Sequence, residues 1–187
     1  MSKNFRLTYN SPVILTFSFI SIISLVAGYI TNFESTFLLF SVYRSSFLDP
    51  LFYIRLVCHI FGHASFEHFI NNFIIIFLIG PMLEERYGSK RLAVFMLIVA
   101  LVTGIVNIIF FDTALLGASG IVFMLIILSS YVNIKRGTIP LTLILVAAAY
   151  LGKEIISSFL EADNVSHLTH ILGGVLGIVF GAKYNNK

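Results

Sequence analysis

Apolar residues run along this chain in six stretches, each closed by a short polar or charged segment, and each stretch is about the length that crosses a bilayer as a helix. Residues 1–12 form a short tail carrying Lys3 and Arg6, and residues 12–30 are the first apolar span. A charged start before an apolar run also describes a signal peptide. This run is long and lacks a small-x-small cleavage site, so it is read as an uncleaved helix. Residues 31–55 mix Glu34, Arg44, Asp49, Pro50 and Arg55 with many aromatics. That is too polar to span and too apolar for open water, which predicts an interfacial loop lying on the bilayer. A second span over 56–83 holds His59, His63, His68, Asn71 and Asn72 and stops at Gly80-Pro81 and Glu84-Glu85-Arg86. A third covers 92–111. The fourth begins at Ser119 and runs to 134, before Lys135-Arg136-Gly137. The fifth, 139–159, is shortened by Lys153 and Glu154, and the sixth covers 166–180. The expected fold is therefore all-α: a polytopic membrane protein whose six transmembrane helices form one domain over 1–187, with both termini on one side.

Composition changes little in that picture and removes several alternatives. Of 187 residues, 58% are hydrophobic and 11% charged, with a mean hydropathy of +0.96, which excludes a soluble domain. A pI near 9.1 would suggest nucleic acid in a soluble protein. Here the basic residues sit between apolar spans, and the positive-inside rule accounts for them, so no nucleic-acid partner is expected. With the N-terminus in the cytoplasm, the inner segments hold Lys3, Arg6, Arg86, Lys90, Arg91, Lys135, Arg136, Lys183 and Lys187. Only Arg44, Arg55 and Lys153 lie outside. That bias predicts a multi-pass cell-membrane protein with both termini cytoplasmic. Cys58 is the sole cysteine, which excludes an intrachain disulfide and a cysteine-built metal site.

Polar side chains inside a span are expensive, so each is a functional candidate until a partner explains it. Ser119 lies 16 residues before Lys135, or about 24 Å above the inner edge at the helical rise. By the same count His68 stands about 24 Å, Asn72 about 18 Å and His170 about 20 Å above the ends of their spans. In a core of roughly 30 Å, all four fall in the outer half. His68 and Asn72, four apart, share a helix face. Gly117 and Gly120 flank Ser119 and let the backbone turn tightly, while a helix starting there aims its free N–H groups at an anion beside the hydroxyl. Packing of small residues between helices is the competing explanation of Gly-Ala-Ser-Gly. Gly173, Gly177 and Gly181 repeat every fourth residue, a ridge that lets another helix approach closely; if that helix is the fourth, His170 is carried to Ser119.

With these residues in view the chain resembles the rhomboid intramembrane serine proteases, in their six-helix prokaryotic form. The matching positions are His59-x3-His63-x4-His68-x3-Asn72, Gly117-Ala118-Ser119-Gly120 and His170-x2-Gly173-x3-Gly177. Arg55 matches the arginine of the family's first-loop signature, although Ile54 stands where the family usually has an aromatic residue. Glu84 and Gly88 match its acidic-then-glycine close of the second helix.

The resemblance implies a Ser–His dyad without an orienting acid. Asp112, Glu161 and Asp163 lie in outer loops, none well placed to serve as one. Ser119 would be the nucleophile and His170 its general base, with His167, three residues earlier on the same face, as the rival that depth does not separate. Asn72, His68 and the Ser119 N–H are the oxyanion donors, each worth ~3–4 kcal/mol where water is scarce. His59 and His63 are assigned to holding the first loop, and Phe123 to packing on the His170 ring, with plain core or lipid packing as its alternative. The implied substrates are transmembrane proteins cut within the bilayer near the outer face, with small residues at the cut; no cofactor or metal is implied, and oligomeric state is undetermined. Two other readings compete. An inert pseudoprotease would bind transmembrane helices without cutting them, although such relatives usually lose the serine or histidine kept here. A metal site or transporter would use the i, i+4 pair His59 and His63 with Glu67 and the outer histidines. That reading lacks an acidic conduction path and leaves Ser119 unexplained.

Overall fold

The computed structural model describes residues 8–132, 139, 141–160 and 164–184, and among them the chain forms eight α-helices. They are α1 (Pro12–Ile30), α2 (Glu34–Phe40), α3 (Pro50–Cys58), α4 (Phe66–Tyr87), α5 (Ser89–Phe110), α6 (Ser119–Ser129), α7 (Leu141–Leu160) and α8 (Asn164–Tyr184), with one 3-10 turn, His59–Phe61, after α3. No strand ladder forms among the described residues, only an isolated antiparallel bridge between Val42 and Leu115. The architecture is an all-α membrane bundle. Among the described residues α1, α4 and α5 are each long and apolar enough to cross a bilayer, with mean hydropathies of 2.3, 1.5 and 2.8.

Helix α6 is the centre. Gly120, Ile121, Val122 and Met124 to Leu128 are all buried, so this helix is apolar all round and covered on every side. Its partners α4, α5 and α8 surround it, while α1 turns Ile23 (67% exposed) and Ile30 (77% exposed) outward, as a lipid-facing helix would. The helix directions follow from a few contacts. Glu84, near the end of α4, accepts hydrogen bonds from the N–H groups of Val13 and Ile14 at the start of α1 (2.9 and 3.0 Å) and from Ser89 Oγ at the start of α5 (2.7 Å). Phe95 of α5 stacks on Phe180 near the end of α8, and Arg91 lies over the Tyr184 ring. The starts of α1 and α5 and the ends of α4 and α8 therefore share one face of the bundle.

Ser11, at the cap position of α1, makes no side-chain cap; Glu84 does that work from 70 residues away. A buried carboxylate takes up donors that α1 would otherwise leave unsatisfied, and the positive helix end offsets its charge.

Several expected boundaries move. The stretch 31–55 holds α2 and most of α3 rather than a plain loop. Phe33 takes a left-handed conformation ahead of α2, and Asp49 caps α3 by accepting from the Leu51 N–H, with Pro50 preset for the first helical position. The second span begins at Phe66, not near 56. Gly62 is extended (ψ 142°), and Ser65 caps α4 by accepting from the His68 N–H at 3.0 Å, which separates His59 and His63 from the helix of His68. Pro81 does not end α4, which continues to Tyr87 with Gly80 pressed on Ile14. Helix α6 stops at Ser129, short of 134, in a turn through Tyr131 and Val132. Lys135 and Arg136 lie outside the described residues, as do Lys3, Arg6 and the side chains of Lys153 and Glu154.

Replacing Glu84 with Ala should remove roughly 1.5–3 kcal/mol of charge-assisted hydrogen bonding. A lower denaturation temperature in detergent for Glu84→Ala, beside an unchanged one for the exposed Glu85→Ala, is the expected outcome.

Candidate active site

Eleven residues of α6 rise only about 16 Å, against a core of roughly 30 Å. A helix that short does not cross the bilayer by itself. Residues 111–118 lead into it in non-helical form, and polar partners absorb their backbone groups. Val42 and Leu115 exchange N–H to carbonyl bonds, both 2.9 Å. Asn107, buried on α5, donates from Nδ2 to the carbonyls of Val42 and Thr113 (3.2 and 2.9 Å). The Gly117 N–H donates to the His59 carbonyl at 3.0 Å. Irregular backbone within a membrane bundle is tolerated where protein satisfies it.

Ser119 is the first residue of α6, half-buried between buried Ala118 and Gly120. Gly117 has φ +123°, a conformation that favours glycine, and a Cβ there would lie 2.9 Å from both Cε1 and Nε2 of His68. Removing that side chain lets the His68 ring lie against the backbone two residues before the hydroxyl. The first-turn N–H groups of α6 have no intrahelical acceptor and point toward the same end.

Helix α8 meets α6 backbone to backbone. A Cβ on Gly173 would lie 2.1 Å from the Gly120 carbonyl oxygen, and one on Gly177 2.8 Å from that of Met124. One on Gly181 would enter the Tyr131 ring. This approach carries the preceding turn of α8 over the start of α6. The Thr169 methyl lies 3.2 Å from the place a Gly120 Cβ would take, and the His170 ring stacks flat on Phe123, with centroids 4.3 Å apart and planes 6° apart. Phe123 is four residues beyond Ser119, on the same face one turn along. His170 thus lies over the α6 face that bears Ser119. His167, also buried, is one turn earlier on α8.

Opposite, α4 contributes His68 and Asn72. Asn72 is buried, and its Nδ2 donates to the His68 carbonyl one turn back (2.9 Å), which fixes the amide and commits one of its two protons. The other histidines hold the first loop. His59 is fully enclosed, with Nδ1 3.3 Å from the Arg55 carbonyl and Nε2 3.2 Å from Thr103 Oγ1. Through its own carbonyl it also anchors Gly117. His63 donates from Nδ1 to the Phe61 carbonyl (3.2 Å), and its ring meets His68, Phe69 and Phe73 edge-on. Arg55 is 2% exposed: it pairs with Asp49, donates to Ser45 Oγ (2.9 Å) and lies 4.6 Å over the Tyr43 ring. The hydrogen bond from Arg55, and then that from the Leu51 N–H, hold the Asp49 carboxyl below its usual range. The helical i, i+4 ligand pair fails, because His59 sits in the 3-10 turn and His63 in the extended link. Among the described residues no three His, Cys, Asp or Glu side chains converge as ligands.

The Rhomboid domain family model matches residues 51–187, from α3 through the site to the end of the chain. The chain belongs to the rhomboid family. It is 31% identical over 137 residues to Rhomboid-related protein 1 of Caenorhabditis elegans, covering 68% of this chain and 38% of that protein. It is 24% identical over 138 residues to Rhomboid protease GlpG of Haemophilus influenzae, covering 68% of this chain and 67% of that one. The chain thus spans about two-fifths of the length of the first relative and two-thirds of the second.

In this rhomboid, sequence reasoning overlooked Asn107, Thr103 and Asp49. The first two are polar residues inside a span, and the criterion that singled out Asn72 applies to them equally. Asp49 was noted only as loop charge, and nothing in its spacing announces Arg55 as its partner.

Replacing Gly173 with Val should force α8 off α6 and lower both thermal stability and any cleavage activity. Val175→Ala, on the outward face of the same helix, should change neither. Phe123→Ala, which removes a stacked pair worth about 1 kcal/mol, should slow cleavage roughly fivefold while the fold survives.

Proposed function

We propose that this chain is an intramembrane serine endopeptidase that cuts transmembrane segments of membrane proteins near the outer face. The observation that carries the reading is the flat stack of His170 on Phe123, one turn from Ser119, with His68 lying against Gly117 on the other side. A hydroxyl, an imidazole and a set of N–H donors thereby surround the opening turn of one buried helix.

In this mechanism His170 takes the Ser119 proton as the oxygen attacks a substrate carbonyl, and a tetrahedral intermediate forms. Its oxyanion receives the Ser119 N–H, the uncommitted proton of Asn72 and the His68 ring. Collapse breaks the C–N bond, and the amine leaves with the proton held by His170. Water then attacks the acyl-enzyme, His170 takes a proton from it, and the acid leaves as Ser119 is restored. A substrate helix must unwind locally first, because its carbonyls are otherwise held in its own hydrogen bonds. The short α6 supports this chemistry at depth, since the stretch 111–118 opens toward the face where α6 begins.

The face shared by the α1 start and the α8 end carries Arg86, Lys90, Arg91 and Lys183, and we assign it to the cytoplasm. Both termini would then be cytoplasmic and the site would open outward.

Cleavage of a transmembrane reporter in liposomes should fall at least about a thousandfold in Ser119→Ala and in His170→Ala. Asn72→Ala should lower kcat by about a hundredfold, as loss of one oxyanion donor does. A fluorophosphonate should label Ser119 in the wild type and not in His170→Ala. Undiminished cleavage in Ser119→Ala would reject the assignment, and a wild type that neither cleaves nor labels would mark an inert helix binder.

A further inference from the structure

Beneath the first loop, α1 and α5 do not close on each other. Between them lies a cavity of about 450 Å³. Its walls are Val13, Phe17 and Ile20 of α1 and Ala93, Met96 and Leu97 of α5. Its roof is Val57 of α3 with Ile60 and Phe61 of the 3-10 turn. The wall residues come from the first nine residues of α1 and of α5, so the cavity occupies the half of the bilayer next to the face where both helices begin. Thr16 and Ser89 are its few polar members, which leaves a water there without the two to four partners it needs.

We propose that this cavity seats one acyl chain of an anionic phospholipid drawn from that leaflet. Both walls are helices long and apolar enough to cross a bilayer, and exposed Ile20 and Leu97 stand at its edge, so the solvent outside is hydrocarbon. A volume of about 450 Å³ is roughly that of one turn of a helix about 10 Å across, too little for a transmembrane substrate segment. Charge selects the headgroup. Lys90 precedes Ala93 and Leu97 by three and seven residues and therefore heads the same stripe of α5. It is exposed, and the described ion pairs, Arg44 with Asp112 and Arg55 with Asp49, do not involve it. The opening N–H groups of α5 add a positive helix end at the same level. Glu84 occupies the corresponding end of α1 and also accepts from Ser89 Oγ at the first residue of α5, so the phosphate is received at Lys90, outside that pair. The roof links this seat to the rest of the molecule: the turn of Ile60 and Phe61 begins at His59, whose carbonyl holds Gly117. The inference does not depend on the protease reading.

The test uses the full chain in nanodiscs and in detergent, with dioleoylphosphatidylglycerol against dioleoylphosphatidylcholine. Native mass spectrometry of the delipidated wild type should show one retained phosphatidylglycerol per chain. Ala93→Trp, which fills the cavity from an exposed position, should cut that retention at least tenfold without lowering thermal stability. Lys90→Gln should weaken the preference for phosphatidylglycerol over phosphatidylcholine about fivefold, the worth of one lysine at an anionic surface. In the wild type, a phosphatidylglycerol with a diazirine in its acyl tail should label Phe17, Phe61 and Met96. Retention unchanged in Ala93→Trp would overturn the proposal, and so would labelling spread evenly over outward residues such as Ile23 and Leu78. Equal binding of the two lipids in the wild type would overturn the choice of an anionic headgroup.

Discussion

The approach of two backbones, α6 and α8, is the constraint on which the site depends. Glycine at 120, 173 and 177 removes the side chains that would hold the helices apart, and at Gly173 even a methyl group would overlap the Gly120 carbonyl oxygen. Hydrocarbon offers no water to expel between helices, so dispersion at this close range takes the place of the hydrophobic effect. Once the backbones touch, the register of α8 is fixed to within a residue. The ring of His170 then lands on Phe123 rather than on lipid.

A second constraint is hydrogen bonding at depth. Residues 111–118 lead into α6 without helical bonds, and the first loop and α5 supply their partners. Val42, His59 and Asn107 each take part, and Arg55 and His59 keep the loop itself in place. The first loop is therefore a scaffold for the stretch that leads to Ser119. Its own underside rests over the apolar space between α1 and α5, which gives the surrounding lipid a mechanical connection to that scaffold.

Much of this was legible beforehand for a physical reason. In a membrane every polar side chain needs a justification, so Ser119, His68, Asn72 and His170 stood out against an apolar background and shared a depth counted from charged ends. Gly173 and Gly177 stood out because a four-residue glycine repeat has one main use in a transmembrane helix. The boundaries near 56–66 were not legible, because residues 56–61 are, His59 apart, as apolar as the helix that precedes them. Only the extended Gly62 and the Ser65 cap break it. Pro81 misled in the opposite direction, since neighbouring helices tolerate a proline within α4.

From the residues alone follow the all-α membrane class and the residues rich enough in chemistry to matter, because the cost of burying polarity in hydrocarbon is local. Tertiary structure decided the rest. That Glu84 caps α1 from α4, that Asn107 carries the stretch 111–118, and that His170 lies over Phe123 each join positions tens of residues apart. Such pairings depend on which helix faces which, and that is settled by shape across the whole bundle rather than by any one stretch of chain.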